Sequence, residues 1–391
     1  MKKSLFIKIL MMALAMVLVF ALASCNIEEE EGDGYQNKED LQEINKDLET
    51  QKPSEGLVFK KGTDKETGAE YYSVNGRGDC KDAIIIIPAE YDGLPVTKIG
   101  GNAFSESKYD EEAGIPRLQR VFIPESVTNI AHHAFAECEG LQSIAIPDSL
   151  ISIDSNAFEG CKNATALYIG SKVEKIAKAA FAGCESIQVV YLPDSLTTMG
   201  VGVFQDCKKL GKIDYGTGLT TIADATFYNC ETLQEIDLPQ NLTEIGEDAF
   251  RGCESISKFD IPDTVVTVGN RAFMRCSALE ELTIPVSVKT WGNFVTYFCK
   301  NLSTFVYEGT REQYEAIKCY PPLEKGETEQ RVVNPNESLS MYLSISATEV
   351  KCSDGSFDIK KILEENGFMD SENLNPDAGK TEEEGEENAA E

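Results

Sequence analysis

Cysteine is the residue type that first suggests chemistry in this 391-residue chain. Eight cysteines recur at a constant 23-residue step, and they are Cys138, Cys161, Cys184, Cys207, Cys230, Cys253, Cys276 and Cys299. Thiolates bind zinc, but zinc sites use closely paired cysteines or Cys/His clusters, which a single cysteine per step does not supply. Burial as a small apolar residue explains such a column more simply. We therefore predict core thiols that hold neither a metal nor a cofactor.

The other reactive residue types form no catalytic pattern. Only two histidines occur, His132 and His133, and an adjacent pair facing partly outwards is typical of a surface. Neither a Gly-rich phosphate loop nor an HExxH or Gly-x-Ser-x-Gly motif is present in the sequence. The net charge of −30 disfavours nucleic-acid binding, which needs a basic footprint. The sequence thus predicts a protein that is not an enzyme and does not bind nucleic acid.

The same step defines the structural unit that must position any functional residue. Phenylalanines precede the cysteines by three residues from Phe135 to Phe273, and a period of this length is typical of stacked repeats. In the unit from Cys138 to Gly160, Ile144 and Ile146 alternate with smaller residues, which predicts a strand. Pro147 ends that strand because proline has no N–H group to donate. Ala157, Phe158 and Cys161 then have the spacing of a short helical turn.

Stacking these units predicts a repeat solenoid with a parallel sheet on one face and short helical turns on the other. The pattern gives ten strand positions, the last at 305–307, and an insertion near 105–117. A hairpin over 57–78 should cap the first unit, since the open end of a sheet is a pairing hazard. A second cap should close the other end.

The copy from Leu233 to Cys253 (LQEIDLPQNLTEIGEDAFRGC) resembles the bacterial BspA-type leucine-rich repeat. The stretches 306–314 and 352–355 are similar to the closing segment often found in that class. The resemblance implies a surface-displayed protein with a role in binding, usually suggested to be adhesion. The runner-up interpretation is a structural or scaffold lipoprotein of the bacterial envelope without a host ligand.

The flanking segments predict the domain organisation. Residues 1–25 read as a signal peptide, and Leu22-Ala-Ser-Cys25 resembles a lipobox in which Cys25 is lipidated and anchors the chain at the extracellular face of the membrane. The alternative is an ordinary signal peptide with a coincidental cysteine. Acidic residues 26–55 are interpreted as a tether, 56–320 as the repeat domain with its hairpin cap, 321–360 as the C-terminal cap and 361–391 as a disordered acidic tail.

The phase of the strands predicts which side chains face outwards. Outward positions carry apolar and aromatic residues in the N-terminal half of the sheet and charged residues in the C-terminal half. The candidate binding face for a protein or glycan comprises Phe122, Tyr168, Tyr191, Asp214, Asp237 and Asp260. The alternative is that the tyrosines are simply good strand formers and that lysines screen the aspartates. Flanking lysines also disfavour Ca²⁺ at the aspartates, and a Cys319–Cys352 bridge is less favoured than free thiols. The ligand and the oligomeric state stay open.

Overall fold

The structure is a computed structural model that describes residues 38–107, 115–319 and 349–358. Its 23-residue units stack into a solenoid in which two parallel β-ladders run side by side, here called the front ladder and the back ladder. This arrangement confirms the predicted solenoid with a parallel sheet. Within the described ranges, no helix has the length and apolar character needed to cross a membrane.

The front ladder contains the ten strands predicted from the repeat. They are β3 (Ile84–Ile86), β6 (Arg120–Phe122), β8 (Ser143–Ala145), β10 (Ala166–Tyr168), β12 (Val189–Tyr191), β14 (Lys212–Asp214), β16 (Glu235–Asp237), β18 (Lys258–Asp260), β20 (Glu281–Ile284) and β22 (Thr304–Tyr307). Paired residues from β8 to β22 are 23 positions apart, as in Leu167 opposite Ile144, whereas the insertion makes the β3–β6 partners 36 positions apart. The central residue of each strand points into the core, which follows from side-chain alternation.

The sequence pattern does not predict the back ladder, because its strands are only two residues long in most units. They are β5 (Leu94–Ile99), β7 (Asn129–Ile130), β9 (Ser152–Ile153), β11 (Lys175–Ile176), β13 (Thr198–Met199), β15 (Thr221–Ile222), β17 (Glu244–Ile245), β19 (Thr267–Val268), β21 (Thr290–Trp291) and β23 (Lys318–Cys319). A two-residue strand carries no readable alternation of its own. Each of these strands forms because the equivalent residues of the neighbouring unit offer backbone N–H and C=O groups in register with its own.

The segment predicted as a short helical turn is a stack of turns without α-helix in the described units. Asn156 and Gly160 have φ values of 58° and 72°, and the equivalent positions of the later units are also left-handed. Two left-handed residues per unit are incompatible with a right-handed helix. The turns are held by bonds to the next unit, such as Phe158 N to Ala180 O at 2.8 Å. Gly160 suits its position because it has no Cβ to clash.

The core is formed by columns of identical inward residues. Phe104, Phe135, Phe158, Phe181, Phe204, Phe227, Phe250 and Phe273 stack with ring centroids 4.9–6.0 Å apart and are at most 2% exposed. All eight column cysteines are buried thiols, and each donates to a phenylalanine carbonyl of an earlier unit at 3.0–3.3 Å. Burial raises the pKa of the Cys253 thiol. These contacts confirm that the column is core packing.

Hairpins stand at both ends of the described solenoid. β1 (Val58–Thr63) and β2 (Glu70–Gly76) pair antiparallel, and β2 extends the back ladder through β5. The two-residue β4 (Glu90–Tyr91) pairs with β5 on the same side. At the other end, β24 (Glu349–Cys352) pairs with β22 and folds back through β25 (Gly355–Asp358). A short helix, α2 (Arg311–Glu315), begins at a capping box formed by Thr310 and Gln313 and leads into β23.

Candidate functional site

The six residues predicted as a binding face all lie at outer positions of the front ladder. Phe122, Tyr168, Tyr191 and Asp214 are half-buried, whereas Asp237 and Asp260 are exposed. The residues come from six strands of one ladder, so they follow one another along the stacking direction. The predicted face therefore runs along the stacking direction of the front ladder, but its N-terminal and C-terminal halves have different neighbouring residues.

Residues 38–54, here called the strap, lie across the N-terminal half of this face. The strap consists of helix α1 (Lys38–Gln42), a 3₁₀ helix (Lys46–Leu48) and irregular residues up to position 54. Gln42 contacts the Tyr168 hydroxyl at 3.4 Å, Asn45 contacts the Val121 carbonyl at 3.0 Å, and Ser54 bonds both backbone groups of Ile86. The charge of Lys38 acts to lower the pKa of Asp214. α1 packs against β10.

Asn45 is the polar anchor of the strap. It is only 4% exposed, it has a left-handed backbone with a φ of 63°, and it precedes the 3₁₀ helix. Its amide nitrogen donates to Val121 O, while its amide oxygen accepts from Arg120 Nε at 2.9 Å and from Ser143 Oγ at 3.3 Å. Asparagine tolerates the left-handed region better than most residues, which lets one side chain satisfy three partners at this bend.

Arg120 joins the strap to the front ladder through charge. Its guanidinium binds Asp47 through both terminal nitrogens and Asn45 through Nε. The hydrogen bond from Arg120 holds the pKa of Asp47 below its usual range. A bidentate arginine–carboxylate contact is among the stronger hydrogen-bonded pairs in proteins. Leu48, the next residue, is fully buried and supplies the apolar part of the attachment.

A cleft of about 330 Å³ separates the strap from the ladder. Phe122 and Tyr168 line it together with carboxylates of Glu43, Glu125 and Asp148. The Tyr168 hydroxyl donates to Asp148 Oδ1 at 2.8 Å, and burial together with this bond raises the pKa of Tyr168 to about 12. Tyr168 is therefore held in place by the protein itself and is less available to a ligand than its outward direction suggests.

These contacts correct the prediction of a tether over residues 26–55. Its described part, from residue 38, packs on the front ladder instead of extending away from the domain. Leu48 of this segment is buried and Ile44 is half-buried. The residues that fix the strap, Asn45 and Arg120, carried no signal because they are 75 positions apart.

The C-terminal half of the front ladder is uncovered in the described structure and acidic. Asp214 on β14 and Asp237 on β16 stand directly opposite each other in register. Burial and the adjacent Asp237 raise the pKa of Asp214, and Lys38 and Lys212 only partly compensate. Lys212 is 3.4 Å from the carboxylate of Glu235. Directly opposed like charges are destabilising by roughly 0.2–1 kcal/mol, so this pair is not explained by stability.

The acidic surface continues towards the C-terminal end. Lys258 bridges Glu281 at 3.0 Å and Asp260 at 3.6 Å, and the Thr283 hydroxyl also donates to Asp260. At the border of the ladder, burial and the nearby Asp263 raise the pKa of Glu308. The outer positions from β14 to β20 thus carry five carboxylates, Asp214, Glu235, Asp237, Asp260 and Glu281, against two lysines.

Some predicted residues are not tested by this geometry. Cys25, the predicted signal peptide and the predicted acidic tail lie outside the described residues, as does most of the predicted C-terminal cap. The Cys352 thiol is free and half-buried at the end of β24, and the Cys319 backbone belongs to the other ladder. Within the described ranges, no cluster of three or more His, Cys, Asp or Glu side chains could hold a metal ion.

Comparison with known proteins agrees with the repeat architecture. A family model described as the BspA type leucine-rich repeat region matches residues 97–234 and 203–317. A leucine-rich repeat protein of T. pallidum is similar to this chain at 28% identity and a TM-score of 0.46, over 53% of this chain and 90% of that one. A leucine-rich repeat protein from Bacteroides ovatus is similar at 21% identity, with a TM-score of 0.31, over 68% and 98% of the two chains. The pneumococcal vaccine antigen PcpA is similar at 19% identity, with a TM-score of 0.35, over 76% and 97%. A search among curated proteins found no match.

Proposed function

The chain belongs to the BspA-type leucine-rich repeat family, and from this premise we propose that it is a binding protein of the bacterial cell surface that holds a basic protein partner on the uncovered half of its front ladder. Repeat solenoids of this kind offer extended surfaces that serve as scaffolds for binding. The uncovered half is defined by the outer positions of β14, β16, β18 and β20.

One observation carries the proposal. Asp214 and Asp237 are paired in register on neighbouring front strands, and like charges in this arrangement disfavour the folded state by roughly 0.2–1 kcal/mol. A partner that brings Lys or Arg side chains would relieve this repulsion, and a complementary potential would also accelerate its encounter with the ladder. The two lysines of the surface sit beside Glu235 and Glu281, so they leave the opposed aspartates without full compensation.

The location at the cell surface rests on the family and on the N-terminal sequence. Cys25 follows an apolar stretch and ends a lipobox-like motif, and a diacylated cysteine would anchor the chain stably in a membrane. We propose that adhesion is the role of the displayed solenoid. Replacement of Cys25 by serine should move the protein from the membrane fraction to the soluble fraction after cell lysis. Retention of that variant in the membrane would contradict the lipid anchor.

An array of extracellular-matrix proteins and glycans would identify the partner class. Asp237→Asn/Asp260→Asn should weaken binding of a basic protein by roughly tenfold, since two rim charge pairs contribute about 1.4 kcal/mol together. The matched control is Glu174→Gln/Glu244→Gln, which removes two exposed carboxylates from the region of the back ladder. Equal binding by the two double variants, or selective binding of uncharged glycans, would contradict the proposal.

A further inference from the structure

The strap makes the two halves of the front ladder unequal although their backbones repeat the same geometry. Outer residues Ala166 and Val189 are 8% and 3% exposed, whereas Glu235 at the equivalent position of a later strand is half-buried and Lys258 is exposed. α1 packs against β10, the strand that contains Ala166. The strap therefore lies over outer residues that neighbour the candidate binding face on the same strands.

The polar contacts described between the strap and the front ladder come from four strap residues, Gln42, Asn45, Asp47 and Ser54. Most of its side chains are exposed, and Asn45 and Leu48 are the ones that are buried among those described. The backbone hydrogen bonds found between residues 40 and 51 are local, with partners three positions away. A ladder strand, in contrast, is bonded to neighbours on both sides.

Such an attachment separates readily from the solenoid. Segments with few buried contacts and solvent-exposed hydrogen bonds open at a small fraction of the global unfolding free energy. The Arg120–Asp47 pair is partly exposed, so salt and competing charges weaken it. Among the described residues, the strap contacts end on side chains, on Val121 O and on Ile86, and none of them is a hydrogen bond between two front strands.

We infer that the strap is a releasable cover that regulates access to the N-terminal half of the front ladder. In the closed state, a partner reaches the acidic half from β14 onwards. In the open state, Phe122, Tyr168 and the small outer residues between them join the surface and extend it with an aromatic region. This inference rests on the proposed function, because it assumes that the front ladder is the binding face.

The test measures release of the strap without any ligand. The double variant Asn45→Ala/Asp47→Asn removes the polar anchor, and Glu49→Gln serves as control because it changes the charge of an exposed strap residue. Hydrogen exchange of residues 42–52 should accelerate roughly tenfold or more in the double variant, since each lost buried or charge-assisted bond is worth about a factor of ten. The control should exchange like the wild type.

Thiol labelling reports exposure of the covered face directly. Ala166→Cys should react with a maleimide slowly in the otherwise unchanged full chain and roughly tenfold or more faster in the double variant. Asp260→Cys, at an uncovered outer position of the same ladder, should react fast in both backgrounds. Peptide-resolved mass spectrometry separates these thiols from the native cysteines, and unchanged Trp291 fluorescence shows that the solenoid stays folded.

Two results would overturn the inference. One is fast labelling of Ala166→Cys in the otherwise unchanged chain, which would mean that the strap covers nothing. The other is unchanged exchange and labelling in the double variant, which would make the strap a permanent part of the fold. Either outcome leaves the acidic half and its array experiment intact, so failure of the cover and failure of the proposed binding face are distinguishable.

Discussion

Truncation of one ring in the phenylalanine column should unfold the solenoid at much lower denaturant concentration. Phe204 is fully buried and stacks between Phe181 and Phe227, with ring centroids 5.7 and 6.0 Å away. Phe204→Ala removes the ring and leaves a cavity between two units, and Phe→Ala changes in cores cost about 3–5 kcal/mol. The loss of two aromatic neighbours places the expected value in the upper part of that range, at about 4 kcal/mol.

Urea unfolding followed by two probes would measure this loss. Far-UV circular dichroism reports all units, while fluorescence of Trp291, the single tryptophan, reports β21 near the C-terminal end. Because each unit is stabilised by its neighbours, the variant should shift both transitions by the same free energy of unfolding. A shift in circular dichroism alone would indicate that the units on either side of Phe204 unfold independently.

Phe298→Ala provides the matched control. Phe298 is half-buried and stands outside the column, in a turn beside Tyr297, so its truncation should cost about 1 kcal/mol. Equal losses for the two variants would refute the reasoning. A loss below about 2 kcal/mol for Phe204→Ala would do the same, because it would mean that the column collapses without a penalty.

Three further predictions concern charge and close contact. Asp214→Asn should raise the unfolding free energy by about 0.5 kcal/mol at neutral pH, because the pKa of this carboxyl is raised in the folded state and its ionisation opposes folding. The stabilisation should fade as the pH falls through that raised pKa towards 3.8. Urea unfolding at several pH values measures both effects. The lowered pKa of Asp47 means that the Arg120–Asp47 pair contributes fully to strap attachment well above pH 3.8, and that this contribution is lost as the pH falls through the folded pKa. Hydrogen exchange of residues 42–52, corrected for chemical exchange rates, should therefore accelerate at low pH, and a flat profile would contradict the role of the pair. Gly170→Ala should destabilise by about 1–3 kcal/mol, because its Cβ would stand 2.1 Å from Pro147 O, whereas Gly76→Ala meets its nearest atom at 3.7 Å and should be tolerated in thermal unfolding.

The repeat made most of the fold predictable. Inward positions such as Leu141, Ile144 and Phe158 are buried in the structure as the alternation and the column spacing require. The reason is physical: each unit must place its apolar residues against those of the next unit, so one period fixes the register of the whole stack. The outward phase of the front ladder follows from the same register.

The segment after the strands was harder to predict from local pattern. Ala157, Phe158 and Cys161 have helical spacing, yet they lie in a turn stack between left-handed residues. The spacing predicts which side chains point inwards, but it does not by itself specify whether the backbone there is a helix or a series of turns. Bonds to the adjacent unit, such as Gly160 N to Ala182 O, decide the conformation.

The sequence by itself therefore determined the solenoid, its cysteine and phenylalanine columns and the residues that face outwards on the front ladder, because these depend on a period that is repeated in every unit. The tertiary structure alone decided which outward residues are accessible. The strap reaches Arg120 and Val121 from Asn45, 75 and 76 positions away, and such a contact leaves no periodic trace. Non-repeating contacts thus make the outward residues of a regular surface unequally accessible, with Ala166 and Val189 buried and Asp237 and Asp260 exposed.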